Sequence, residues 1–422
     1  MCYIEGIGVE PNYEKGRNLL EEVTSENKSD NKNANNTKET YEAKYQLGKL
    51  YLNGIGGSKD EVAGVKLIED AANNGNTEAQ VLFGKCLLKG IGTQINLAKA
   101  RKYFKDAKDK NSAEAAYQLG LIYMNGIGIR PNKVDAILIL NDLVGRNYAP
   151  AMFVLGKHYV ENGENELEVS LGVELLKRAI AGGNSEALHY MGVCYLNGKG
   201  VSKNIDKALK HLYEAIAAGN YYAKTNLALC YIDGLAYPSL PIDEAKGYNI
   251  LLEAPKDDIA ARFRIGVCLY KGIGVQENKE EGLELIKETA ELKEMNAMCY
   301  YGKILLKEGN VAEGYKKLLD ASKEGQPEAL YQVGLILEKA LNEIEKDELR
   351  AYGNLKRSSD AGFTKASYHL GKIYINIPER KAEGIELLEK AAKLRHPEAA
   401  KELERIYREG DGIEADESKA SD

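Results

Sequence analysis

The sequence predicts an all-α protein, an α-solenoid of about eleven stacked helix-turn-helix units wound as a right-handed superhelix. Three observations predict it. Gly48, Gly84, Gly120, Gly156 and Gly192 recur 36 residues apart, Ala228 stands in the next such slot, and Gly266 and Gly302 continue the series. Around these positions the apolar residues keep a helical spacing. Several are followed by a second pair of glycines, as in Gly54/Gly56 and Gly90/Gly92. An array of this period has no single core, so its function is expected on a surface rather than in a pocket.

With the motif glycine as position zero, the elements follow in order. In Ala43 to Tyr51 the small or apolar residues at −5, −1, 0, +2 and +3 fall on one helical face, which defines helix A. Glycine at zero lets a partner helix approach closely. The glycines at +6 and +8 (Gly54/Gly56, Gly90/Gly92, Gly126/Gly128, Gly198/Gly200, Gly272/Gly274) supply the backbone freedom that stops helix A and reverses the chain. Helix B carries its own small residue at +16, namely Gly64, Ala100, Ala136, Gly172, Ala208 or Gly282, read as the counterpart of the zero glycine. Gly75-Asn76, Gly183-Asn184 and Gly219-Asn220 mark its end, where either residue is expected to take the left-handed conformation that closes a helix. Later units depart in spacing, with 38 residues from Ala228 to Gly266, 32 from Gly302 to Gly334 and 37 to Gly371. Each departure shifts one loop without breaking the stack.

The same register divides the chain into residues 1–23, the second half of a repeat; 24–40, a disordered Asn/Lys/Ser-rich insertion; 41–409, the repeat array; and 410–422, an acidic disordered tail. The register places the first motif glycine one residue before Met1, so an upstream segment is expected, and with it any signal peptide or anchor. The insertion holds two glycosylation sequons, at Asn27 and Asn35, read as chance matches in an Asn-rich stretch. Ala399 to Glu409 repeats helix A with Glu404 in the glycine slot, and the charged run Arg405 to Glu409 suits a terminal cap.

The pattern A-x-Y-x-L-G-x-x-Y-x-x-G-x-G-V, followed by A-x-x-x-x-x-x-A-A-x-x-G-N, stands nearly intact at Ala115 to Gly128 and from Ala187 to Asn220. These residues resemble the Sel-one-like repeat family, a relative of the tetratricopeptide repeat, and the resemblance covers almost the whole chain. It implies a non-catalytic scaffold or adaptor that binds a peptide segment or partner protein in the groove of the solenoid, as a regulatory or assembly subunit. Family members act in endoplasmic-reticulum quality control, in chitin synthase activation and as bacterial signalling or virulence factors. A scaffold part of a longer protein of the first two kinds is one alternative reading. Another is a cysteine-rich β-lactamase-like repeat enzyme, but those members resemble arrays with a disulfide in each hairpin.

Composition narrows the partners. A net charge of −7 gives no electrostatic reason to expect nucleic acid or an anionic membrane. Charged residues make up 29% of the chain, no stretch approaches 18 consecutive apolar residues, and the start Met-Cys-Tyr-Ile-Glu-Gly has no signal-peptide pattern. As written the chain is expected to be cytoplasmic, with the endoplasmic-reticulum lumen or secretion open if an upstream segment exists. Cys86, Cys194, Cys230 and Cys268 all fall at +2, as does Cys2, where other units carry Leu50, Ile122 or Ile304. A position that accepts Cys, Leu or Ile is an apolar core position, so free thiols are expected and a reducing compartment fits them. His158, His189, His211, His369 and His396 show no metal-ligand spacing. The Gly-Ile-Gly turns recur between helices rather than after a strand, so they are not phosphate loops. No catalytic, cofactor or metal residue is assigned, and no cofactor is expected.

A partner is expected on the side of helix A opposite its buried face, at positions −2 and +1. Its middle stretch, Tyr190, Val193, Asn226, Leu229, Arg264, Val267 and Tyr300, combines aromatic, apolar and Arg side chains of the kind that dominate interfaces. Lysines such as Lys49, Lys85, Lys157 and Lys303 flank it. Tyr190→Ala or Arg264→Ala is expected to weaken a partner without lowering stability.

Overall fold

The computed structural model describes residues 2–6, 8–25, 37–340 and 344–409 of the 422. Among them there are helices and turns and no strand. The chain divides into two compact units, Met1–Asn220 and Tyr221–Asp422.

The first unit holds α1 (Cys2–Glu5), α2 (Tyr13–Ser25), α3 (Lys38–Asn53), α4 (Glu61–Asn73), α5 (Thr77–Lys89), α6 (Leu97–Asp109), α7 (Ala113–Asn125), α8 (Lys133–Gly145), α9 (Ala149–Asn162), α10 (Glu166–Ala181), α11 (Ser185–Asn197) and α12 (Ile205–Ala217). The second holds α13 (Ala223–Ile232), α14 (Glu244–Leu252), α15 (Ile259–Lys271), α16 (Lys279–Glu291), α17 (Met295–Lys307), α18 (Val311–Lys323), α19 (Pro327–Lys339), α20 (Glu348–Asp360), α21 (Thr364–Ile375), α22 (Lys381–Lys393) and α23 (Pro397–Glu409). From α3 onward the odd-numbered helices are the A helices and the even-numbered ones the B helices.

Each A–B hairpin closes on its small residues. A Cβ on Gly48 would lie 2.8 Å from the carbonyl oxygen of Gly64, and one on Gly64 would lie 2.8 Å from that of Gly48. Gly156 and Gly172 face each other in the same way, at 2.9 and 2.8 Å. These distances are below van der Waals contact, so the two backbones touch directly. Around that contact Ile68, Leu140, Leu176 and Leu212 are fully buried at the same B-helix position, each contributing about 1.5–3 kcal/mol relative to exposure. Ala228 is buried in the glycine slot of α13, and there Gly247 on α14 makes the close approach.

The paired turn glycines divide their work. Gly90 ends α5 in the left-handed region at φ 71°, with its N–H donated to the Cys86 carbonyl. Gly92, at φ 61°, lies against the first turn of α4 in the preceding hairpin, where a Cβ would run into the Glu61 carbonyl. The B helices are then started by caps that the sequence reading does not include: Asp60, Asn96, Asn132, Asn204 and Asn278 each accept an N–H from the residue three positions on, worth about 1 kcal/mol apiece.

Two expectations are corrected here. In the Gly-Asn pairs only the glycine is left-handed, Gly75 at φ 89° and Gly183 at φ 79°. Asn76 and Asn184 are extended, and their side chains cap the following A helix by accepting the N–H of Ala79 and Ala187. Asn220 makes no such cap; it is buried and donates to the Ser185 carbonyl. Both edges of the span 24–40 expected as an insertion also fall in or beside helices. Thr24 and Ser25 belong to α2, and Thr37 caps α3 by accepting the Thr40 N–H. Asn27, Asn35 and the tail 410–422 lie outside the described residues.

Cys86, Cys194, Cys230 and Cys268 are buried and free at +2, and Cys299 is buried and free at −3 on α17. Burial pushes the first four thiols up to about 11 and that of Cys299 to about 12. The side chain of Cys2 is not among those described. At the other end, α23 buries Ala399, Leu403, Ile406 and Tyr407 and turns outward a face on which Arg405 pairs with Glu402 and Glu409, and Arg408 with Glu404.

Candidate functional site

The expected stripe is half-buried rather than open. In the first unit, Tyr190 on α11 packs edge-on against Phe153 of α9, with ring centroids 6.3 Å apart. Its hydroxyl donates to Glu161 at 3.3 Å, and burial raises its phenol first of all causes. Val193 is half-buried one turn along the same helix. In the second unit, Asn226 and Leu229 are half-buried on α13, and Arg264 lies 4.0 Å from Asp233 and over the Phe263 ring. Val267 is buried at 8% exposure within the cluster formed by Phe263, Ile286 and Tyr301, so it is core and not surface. Tyr300 packs on that cluster, edge-on to Phe263 at 6.0 Å.

A regular contact explains these rings. The side chain at −3 of one A helix meets the side chain at −2 of the next: Phe153 with Tyr190, Phe263 with Tyr300, and Tyr331 with His369 at 6.2 Å. All three pairs are near edge-to-face, the arrangement aromatic quadrupoles favour, worth about 0.5–1.5 kcal/mol beyond the area buried. Tyr190 and Tyr300 therefore join neighbouring repeats. Truncating Tyr190 is expected to cost stability, where the sequence reading expects no such loss. Position +1 has a similar role in places. Lys85 pairs with Glu114 at 2.6 Å and Lys303 with Glu328 at 2.5 Å, in each case the −6 residue of the next A helix.

Around Tyr45, a ring at −3 with no aromatic partner at −2, the A-helix face opens. Tyr45 on α3 faces a repeat that carries Leu82 at −2, and two adjoining cavities of about 850 and 520 Å³ share Tyr45, Thr77 and Glu78 in their walls. The larger adds Tyr41, Glu42, Gln46 and Lys49; the smaller adds Leu82, Lys85 and Glu114. The groove thus lies along α3, α5 and the start of α7. It includes the −2 and +1 residues Gln46, Lys49, Leu82 and Lys85, but in the first repeats of the array rather than its middle.

Its polar groups are already ordered. Lys49 donates to Gln46 at 2.9 Å, Gln46 donates to Glu42 at 2.7 Å, and Asn76, the cap of α5, donates to the other Glu42 oxygen at 2.8 Å. Lys49 also lies 5.0 Å above the Tyr45 ring. Burial raises the Tyr45 phenol, and the Glu78 and Glu42 charges add to the shift. Burial also pushes the Glu114 carboxyl up, but hydrogen bonds from Lys85, Tyr148 and Gln118 outweigh it and hold the group below its usual range. The sequence reading does not include Tyr45 or these glutamates. The available signal is the recurrence of Glu at −6, in Glu42, Glu78, Glu114, Glu186 and Glu328.

Among the described residues no group of three or more His, Cys, Asp or Glu side chains could hold a metal ion, and no helix is long and apolar enough to cross a membrane. His211 stacks on Tyr195 and His396 on Tyr368, while His369 faces the Glu338 carboxylate at 3.0 Å.

The model of the family described as "Sel1 repeat" matches residues 1–22, 42–76, 77–112, 113–138, 149–184, 185–220, 259–293, 327–363, 365–396 and 400–420. Among solved structures, a protective antigen of uropathogenic Escherichia coli strains displaying an SLR fold is 22% identical, covering 85% of this chain and 77% of that one with a TM-score of 0.42. A Sel1 repeat protein from Oxalobacter formigenes is 17% identical over 84% of this chain and 89% of that one, with a TM-score of 0.31. An immunity protein from Pseudomonas aeruginosa is 17% identical over 48% and 78%, with a TM-score of 0.38. No curated protein matches the chain.

Proposed function

The chain belongs to the Sel1 repeat family, whose members generally mediate protein–protein interactions as typically non-catalytic scaffolds, and on that premise we propose that it is an adaptor that holds an extended segment of a partner protein along α3, α5 and α7. The observation that carries this reading is Tyr45, which lines both adjoining cavities. The groove suits a polar peptide of mixed charge. Tyr45 and Leu82 offer apolar contact, Lys38 and Lys49 meet carboxylates, and Glu78 meets a cation. Because Glu42, Gln46, Lys49 and Asn76 already form one hydrogen-bonded chain, little side-chain freedom is lost on binding. The free buried thiols fit a reducing compartment.

The test is selection of peptides from a random display library on the full chain, followed by affinity measurement. Lys49→Glu combined with Glu78→Lys reverses both charges at the groove edge and is expected to weaken the selected peptides by roughly tenfold or more, with the melting temperature unchanged. Peptides indifferent to that pair would sink the reading.

A further inference from the structure

A second surface lies on the B helices of the first unit, away from the groove. Val134 and Leu138 on α8 are 70% and 64% exposed, and Leu167 and Leu171 on α10 are 81% and 48% exposed. Each pair is spaced i, i+4 and so forms a stripe along its helix. Val62 on α4 and Leu349 on α20 stand singly on their helices, while Leu19 and Val23 on α2, 43% and 48% exposed, form a less exposed pair of the same spacing.

The two stripes flank one furrow. Lys99 at +15 of α6 reaches Glu69 at +21 of α4 at 2.6 Å, so +15 of one B helix faces +21 of the B helix before it. Leu171 is the +15 residue of α10, and the +21 residue of α8 is Asn141, one turn from Leu138 on the same edge. Leu167 stands one turn before Leu171. It lies on an addition to the repeat: α10 has 16 residues where α6 and α8 have 13, and the extra turn at its start carries Glu166, Leu167 and Glu168. That turn exposes an apolar side chain almost fully and adds no buried one.

The rim is acidic. The loop before α10 and its first turn carry Glu164, Glu166 and Glu168, with no Lys or Arg between Lys157 and Lys177, and Glu174, 3.9 Å from Lys177, follows on the same helix. A second copy presenting the same patch would set these carboxylates against one another, and an anionic membrane would be repelled. We propose that the furrow between α8 and α10 docks a basic amphipathic helix of a partner protein, its Leu- or Ile-type stripe against Val134, Leu138, Leu167 and Leu171 and its Lys or Arg flanks against Glu166 and Glu174. This second surface does not depend on the groove around Tyr45.

The experiment uses the full chain and a labelled idealised Leu/Lys helical peptide of about 18 residues, five turns, with a Leu/Glu peptide of the same spacing as comparator. Fluorescence anisotropy is expected to show saturable binding of the Leu/Lys peptide alone. Leu138→Gln with Leu167→Gln leaves every charge in place and is expected to weaken that binding by roughly tenfold without moving the melting temperature, since both side chains face solvent. Equal affinity for the double variant would reduce the effect to bulk charge and overturn the proposal. So would equal binding of the Leu/Glu peptide. Light scattering that shows a dimer dissolved by the double variant would assign the furrow to a second copy instead, and co-sedimentation with phosphatidylserine vesicles lost in that variant would assign it to a membrane.

Discussion

Phe263 with Tyr300, and Tyr45 with Leu82, occupy the same two register positions in successive repeats, yet the first pair closes the A-helix face and the second leaves it open. In the second unit two rings meet edge-on and bury each other against Val267. In the first unit a ring meets a branched aliphatic side chain, and cavities flank it on both sides. Register therefore sets where a side chain points, while in these two pairs the residue in the next repeat decides whether that face is closed or open.

The hairpin contact beneath both faces is the same, and the largest effect should be common to them. A Cβ on Gly282 would overlap the Tyr270 backbone nitrogen and lie 2.7 Å from the Gly266 carbonyl; one on Gly48 would lie 2.8 Å from the Gly64 carbonyl and 2.5 Å from Ile68 Cγ1. Gly282→Ala and Gly48→Ala are each expected to cost roughly 2–3 kcal/mol, as overpacking against backbone that cannot yield. Urea midpoints at constant slope measure this. A large loss in one region only would mean that the two differ in their hairpins and not merely in the rings above them.

Exchanging the rings tests the comparison itself. Tyr300→Ala removes the edge-on contact and part of the cover of the cluster below, for an expected loss of about 2 kcal/mol. Leu82→Tyr places a second ring opposite Tyr45. It is expected to change stability by less than about 1 kcal/mol and to abolish binding of peptides selected for the groove. If Leu82→Tyr binds them as well as the wild type, the open face is not the binding surface.

Much of the scaffold was legible in the glycine period, because a position that tolerates only Gly or Ala reports a backbone contact within its own hairpin. The +2 cysteines were legible for the same reason. The caps at Asp60, Asn96 and Asn204 were present as a fixed spacing, and the reading of Gly-Asn as a helix closer holds for the glycine alone, because Asn also suits an N-cap, the role it takes at Asn76 and Asn184. The stripe at −2 and +1 was placed on the side where the cavities lie, but its residues were ranked by their individual interface character. That ranking favoured Tyr190 and Tyr300, the rings held by Phe153 and Phe263. One helix face read alone does not include what the next repeat sets opposite it, and Tyr45 stands out only when Leu82 is seen across from it.

The smallest expected effect concerns the ion pairs that tie the A helices together in both regions, Lys85 with Glu114 and Lys303 with Glu328. Glu114 differs in also receiving the Tyr148 hydroxyl at 2.5 Å and the Gln118 amide at 2.9 Å. Burial raises its pKa, but these donors and Lys85 together bring it below the ordinary 4.5. A depressed folded-state pKa means that the carboxylate stabilises the fold above about pH 4.5 and that this contribution is lost as the pH falls through the lower folded value. Lys85 and Glu114 keep 39% and 34% of their side-chain surface exposed, so solvent screens the pair and the contribution at neutral pH should stay below about 1 kcal/mol. Glu114→Gln is therefore expected to lower the melting temperature slightly at pH 7 and progressively less as the pH falls below 4.5, flattening the acid limb of the stability profile. A loss that stays constant as the pH falls until the protein unfolds would show that the residue acts through packing alone, and the ordered polar wall of the open groove would then not depend on its charge.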